Sequence, residues 1–338
     1  MVNSEPGIKT TVVGSYPVPD WLGTSPSERT IVDAIRVVIH TQEMAGIDVV
    51  ADGECYRYDL SHPETNGMIE YFTRPLAGVR SEITFEEFVK FEAEADVMNF
   101  RSTPAGVIEG PIGSGVMNLA AACRRGQAMT TKKFKFALTG PHMLAKTLVD
   151  HQYGDLPELC HAIADVLAEQ VARVDADIVQ IDEANLPGHP EEWQWAASAM
   201  NKVLDAVKTT PAVHLCFGNY GGQQPQQGTW GKLMDYLNTL HVDHIVMENT
   251  HRPADELEVF RDLRPDIGMG LGVLDVKATM AESPDQIARA IERADKIIGP
   301  GRVKYIHPDC GLWNLKRYVA DRKLSALKAG RDLYEGRI

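Results

Sequence analysis

The sequence predicts a (β/α)8 TIM barrel with an elaborated insertion after the second strand. Three observations predict it. Short apolar runs alternate with amphipathic helical stretches along most of the 338 residues, the runs number eight, and polar side chains gather at their C-terminal ends. A doubly wound open sheet shares this rhythm, but no G-x-G-x-x-G follows the first strand, which lowers a nucleotide-binding reading.

Strands are expected over residues 11–14, 47–52, 134–139, 178–182, 212–216, 244–248, 267–272 and 303–307. The first two are separated by a helix over 30–45, whose Ile31, Ala34, Ile35, Val38 and Ile39 share one face. Further helices are expected over 156–174, 193–207, 231–240, 255–263 and 284–298, with a Lys- and Arg-rich one over 315–334. The rhythm breaks at about 55–131, which carries Pro63, Pro75, Pro104, Pro111 and several glycines. This segment reads as a loop on the active face holding a hairpin and short helices, within one barrel domain over 1–338.

Composition narrows the function. A formal net charge of -13 and a pI of about 5.3 repel nucleic acid and anionic membrane, leaving small molecules or proteins as partners. The one dense basic run, Lys132-Lys133-Phe134-Lys135, reads as a solvated strand edge. Cys55, Cys123, Cys160, Cys216 and Cys310 are odd in number and scattered, which argues against a disulfide framework. Residues 1–9 lack the apolar core of a signal peptide, and no run of 18 apolar residues occurs. The expectation is a soluble, cytoplasmic protein whose thiols stay reduced.

His214 and Cys216 lie two apart on the fifth strand, so imidazole and thiol face the same side. Glu248 and Cys310 end the sixth and eighth strand segments. Taken singly, each is more simply a buried core group. Together they would bury an imidazole, two thiols and a carboxylate on one face without purpose. Such a set suits Zn2+ better than Mg2+ or Ca2+. Thiolate ligands blunt the acidity that hydrolytic zinc needs, and favour capture of an incoming thiol whose sulfur stays nucleophilic. Glu248, the hardest donor, is the ligand expected to give way to it. Other polar groups at strand ends are Ser15, Glu54, Asp182, Glu183, Asp275 and Lys277. A tight turn at Gly14 and Ser15 can bind a carboxylate, and Glu54 with Asp182 can bind an ammonium, unless these two acids simply pair with Arg57 or a neighbouring lysine.

Several segments carry a family resemblance: Thr-Thr-Val-Val-Gly-Ser-Tyr-Pro from Thr10, Asp-Gly-Glu from Asp52, Leu-Thr-Gly-Pro from Leu138, Gln-Ile-Asp-Glu from Gln180, His-Leu-Cys from His214 and Pro-Asp-Cys-Gly-Leu from Pro308. Through them the chain resembles the catalytic domain of cobalamin-independent methionine synthase, a zinc (β/α)8 barrel that methylates homocysteine. The resemblance implies Zn2+ on His214, Cys216, Glu248 and Cys310. It also implies the homocysteine carboxylate at Gly14 and Ser15, and its ammonium at Glu54 and Asp182.

Two departures bear on the methyl donor. After Leu-Thr-Gly-Pro the family's tryptophan-containing segment gives way to His142-Met143-Leu144-Ala145-Lys146-Thr147, and the family's Asp-Ile-His becomes Asp275-Val276-Lys277. Lys277 thus stands where a histidine linked to proton transfer is expected, either catalytic with Asp275 or its surface ion-pair partner. These departures resemble the short single-barrel "core" synthases, so the donor stays open between a methylcorrinoid and methyltetrahydrofolate, either free or delivered by a partner protein. Two other readings are a zinc alkyltransferase of the epoxyalkane:coenzyme M type and a non-catalytic zinc barrel. Paired acids at Glu54 and Asp182 favour homocysteine over a sulfonate thiol, which has no ammonium.

Overall fold

A computed structural model of the chain describes residues 7–57, 59, 62, 65–94, 101, 103–218 and 228–337. Its strands are β1 (Lys9–Thr10), β2 (Val49–Ala51), β3 (Ala77–Arg80), β4 (Val107–Gly113), β5 (Lys133–Thr139), β6 (Val149–Asp150), β7 (Ile178–Glu183), β8 (Thr210–Leu215), β9 (His244–Met247), β10 (Gly268–Leu274) and β11 (Val303–Pro308). Its helices are α1 (Asp20–Thr24), α2 (Glu28–Met44), α3 (Glu70–Thr73), α4 (Phe85–Glu94), α5 (Leu119–Gln127), α6 (Pro141–Ala145), α7 (Leu156–Val171), α8 (Trp193–Leu204), α9 (Met234–Thr239), α10 (Pro284–Ile298) and α11 (Arg317–Tyr334).

Eight strands form one parallel sheet in the order β1-β11-β10-β9-β8-β7-β5-β2. A parallel bridge between Thr11 and Val49 joins its two edges, so the sheet is the expected (β/α)8 barrel. Parallel strands buried on both faces require apolar runs, and β7 and β10 are buried at every residue. Helix α2 starts in a capping box between Ser27 and Thr30, and it buries Ala34, Ile35, Val38 and Ile39. Gln42 on the same face pairs with both backbone groups of Ala51, at 2.8 and 2.9 Å, where β1 does not reach β2.

Strand pairing begins earlier in β1 than the apolar pattern predicts, and it stops before Val12. The carbonyls of Val12 and Val13 accept instead from Lys135 Nζ and Gln180 Nε2, both at 2.9 Å, across the barrel. The stretch expected as a helix over 255–263 is a 3-10 helix, Ala254–Asp262. Its buried Leu257 and Phe260 lie three residues apart, which aligns them on one face at three residues per turn, and buried Leu263 follows at the extended C-cap. Between β2 and β5 the chain builds β3 and β4 as an antiparallel pair, and β6 adds to β4 in parallel. Helix α5 then packs against α2 and α7 in the outer ring. No described helix is long and apolar enough to cross a membrane.

Helices α10 and α11 touch closely at Gly330, where an added Cβ would lie 2.4 Å from Ile287 Cβ. Gly330→Ala is therefore expected to destabilise the fold by about 1–3 kcal/mol through overpacking. A thermal melt reads this, and an unchanged midpoint would mean that the two helices can part freely.

Candidate metal centre

His214 and Cys216 behave as a two-residue strand spacing requires. His214 is on β8 and Cys216 one residue beyond it, held by a bond from its N–H to Glu183 O at 2.9 Å. Cys310 lies two residues past β11. One ligand atom from each of His214, Cys216 and Cys310 falls within 4.8 Å of the others, a group that could hold a metal ion. The two sulfurs are 3.4 Å apart. Glu248 joins through Cys216: its Oε1 lies 3.2 Å from that sulfur and accepts from Phe217 N at 3.2 Å.

The donors fit a soft cation. His214 Nδ1–H donates to Val246 O at 2.9 Å, which fixes the ring and leaves Nε2 as the coordinating atom. His214 Nε2 and Glu248 Oε2 are buried polar atoms without a hydrogen-bond partner among the described residues. Burial without a partner is costly, and a cation would satisfy both. A hydrogen bond from Cys216 holds the Cys310 thiol well below its ordinary pKa, and His214 adds to this, whereas Cys216 is pushed well above. Burial raises Glu248 to about 8, with the charges of Cys310 and Asp309 adding.

Asp309, quoted above in a motif without a role, clamps the loop behind Glu248. Its Oδ1 accepts from Asn249 N at 2.8 Å and from Thr250 N at 3.1 Å. A Cβ at Gly272 would sit 2.2 Å from that oxygen, so only glycine admits it. Trp230 Nε1 donates to Glu248 O at 3.2 Å, and its indole packs on Phe217 and Phe260.

The expected substrate residues lie against this group. A Cβ at Gly14 would be 2.1 Å from Glu54 Oε1, and one at Gly311 would be 2.0 Å from Ser15 Oγ. Ser15 therefore rests on the residue that follows Cys310, and Glu54 folds over Gly14. Glu54 is the one non-glycine with a left-handed backbone among the described residues, at φ 60°. Such strain persists where surroundings enforce it. Here Arg57 does so, 3.3 Å from Glu54 Oε2. The guanidinium is caged by Tyr56, Tyr71, Phe72 and Phe136, 5.1–5.8 Å from their ring centres. Pairing with Arg57 is thus real, and it holds Glu54 in place. Asp182 is opposite His214 in the β7–β8 register and accepts from Gln180 Nε2 at 2.7 Å. Burial raises Glu54 to about 7 and Asp182 to about 6.

Asp275 and Lys277 do not form the ion pair considered above. Asp275 Oδ1 meets His251 Nε2 at 2.7 Å and accepts from Lys277 N at 2.8 Å. Lys277 Nζ is buried without a hydrogen-bond partner among the described residues, and its charge opposes the rise at Glu248. Sequence reasoning had no local signal for His251, 24 residues before Asp275. It also took Lys135 for part of a solvated edge. Lys133 is exposed, but Lys135 is completely buried inside the barrel.

A parallel barrel that gathers His214, Cys216, Cys310 and two buried carboxylates at its C-terminal mouth has the architecture of an enzyme acting on small substrates. Residues 8–330 match the model of the cobalamin-independent synthase catalytic domain, and the chain belongs to that family. It is similar to the methionine synthase of Thermococcus kodakarensis, 29% identical over 97% of this chain and 94% of the relative. It is similar also to that of Sulfurisphaera tokodaii, 27% identical over 96% and 92%. Among solved structures, it resembles a B12-independent methionine synthase from Shewanella sp. W3-18-1 in complex with selenomethionine. The TM-score there is 0.79 at 24% identity, covering 98% of each chain.

Proposed function

We propose that this protein is a zinc-dependent homocysteine S-methyltransferase that forms methionine. The convergence of His214, Cys216 and Cys310 beside Glu54 and Asp182 carries this reading. His214, Cys216 and Cys310 would hold Zn2+, with Glu248 as fourth ligand. When bound, Zn2+ supplies the Lewis acidity that makes a thiol an anion near neutral pH. Glu248 is the hardest of the four donors, and a substrate sulfur would take its place. Lys277, whose charge acts on Glu248, would steady the carboxylate once it is released.

Gly14 and Ser15 would receive the amino-acid carboxylate, and Glu54 and Asp182 its ammonium. So held, the sulfur attacks the methyl carbon in line. The S–C bond forms as the bond from methyl to donor breaks, and the donor keeps that electron pair. Asp275, tied to His251, would serve a folate donor, whose leaving nitrogen takes up a proton; a corrinoid donor leaves as reduced cobalt and needs none. Paired carboxylates oppose a sulfonate thiol, so the epoxyalkane:coenzyme M type is disfavoured.

The test is methionine formation from homocysteine by zinc-loaded protein, with methylcobalamin, a methylated corrinoid protein and monoglutamyl methyltetrahydrofolate supplied in turn. Zinc X-ray absorption should also gain one sulfur neighbour when homocysteine is added. No methionine with any donor, together with unchanged zinc coordination, would sink the reading.

Homocysteine affinity should also depend on pH. Glu54 at about 7 and Asp182 at about 6 are raised carboxylates, ionised above those values and neutral below them. A neutral acid cannot pair with an ammonium, so affinity is expected to weaken as pH falls from above 7 through 6. Titration calorimetry across that window checks it; a flat profile would remove these groups from the ammonium site.

A further inference from the structure

Lys135 is a buried amino group of the barrel interior that the proposed chemistry does not use. It has no exposed surface and makes no ion pair among the described residues. Its Nζ donates to Val12 O at 2.9 Å and to Gln180 Oε1 at 2.8 Å. Burying an amino group at the centre of a barrel is costly where apolar side chains would fill the space. The Gln180 amide that receives it is used at both ends: Nε2 donates to Val13 O at 2.9 Å and to Asp182 Oδ1 at 2.7 Å. These partners fix which end of the amide is which, because oxygen must face the lysine and nitrogen the carboxylate. No other side chain among the described residues bonds the Asp182 carboxylate.

We propose that Lys135 and Gln180 form a relay that positions Asp182 to receive the ammonium of an amino-acid thiol, and so sets specificity for homocysteine over thiols lacking that group. Lys135 is a positioning residue: it touches Gln180, Gln180 touches Asp182, and only Asp182 meets the ligand. Amine or ammonium, Nζ donates both of its bonds. Without it the Gln180 carbonyl is left buried with no donor, and the amide that orients Asp182 is anchored through Nε2 alone. This inference rests on the homocysteine reading above.

The experiment compares two ligands by titration calorimetry on zinc-loaded protein: L-homocysteine, and 4-mercaptobutanoate, which is the same molecule without its amino group. In the wild type homocysteine should bind more tightly; equal affinities would sink the homocysteine reading itself, before any variant is made. In Lys135→Met the Kd for homocysteine is expected to rise about tenfold or more, the cost of a hydrogen bond to a charged group. The Kd for 4-mercaptobutanoate should stay within about twofold, and zinc content should be unchanged. Lys135→Met/Gln180→Met leaves an apolar core with no stranded amide, which guards against misfolding of the single variant, and it should show the same selective loss. If both thiols weaken alike, or homocysteine binding is unchanged, the relay is overturned.

Discussion

Cys310→Ser is expected to lose metal and turnover together. A serine hydroxyl stays protonated at neutral pH and is a poor ligand for a soft cation. The change also removes a sulfur that lies 3.4 Å from that of Cys216. Zinc content should fall to background. Methionine formation should drop by more than about a hundredfold, beyond the loss caused by removing a mere ligand-orienting partner. Cys310 is only half-buried, so the barrel should fold without it. A variant that keeps both zinc and activity would show that the three donors meet for another reason.

Asp182→Asn separates substrate binding from metal binding. The replacement is isosteric but cannot carry the charge that an ammonium requires. Losing one partner of a buried charged contact costs about 2 kcal/mol or more, which is roughly 30-fold in affinity. Homocysteine binding should weaken by that factor while zinc stays bound, because His214, Cys216 and Cys310 are untouched. Unchanged affinity would strip Asp182 of its assigned role.

Sequence made the barrel and the meeting of His214, Cys216 and Cys310 legible for physical reasons. Strands buried on both faces must be apolar, and a two-residue spacing places His214 and Cys216 on one side whatever surrounds them. Glu248 and Cys310 were visible because polar groups ending apolar runs are unusual. Groups bonded across the barrel stayed hidden. Lys135 follows two other lysines in a run that looks solvated, and its acceptors lie 123 and 45 residues away. The pairing of Asp275 with His251 rather than Lys277 likewise depends on how the loops after β9 and β10 meet. Strand ends were misjudged at β1 because two carbonyls expected in a ladder are taken by side chains.

The 94 residues separating Cys216 from Cys310, and the docking of β1 on β11, impose an order of events on biosynthesis. The N-terminal strand emerges from the ribosome first and can bridge to β2, but its neighbour on the other side arrives only with the C-terminal strand. His214 and Cys216 meanwhile present a lone imidazole and thiol, too few to retain an ion. On the proposed ligand set, metal capture would therefore wait until β11 has brought Cys310 into place. Since an ion held only by the native state stabilises that state, loading then acts as a latch on a barrel already shut.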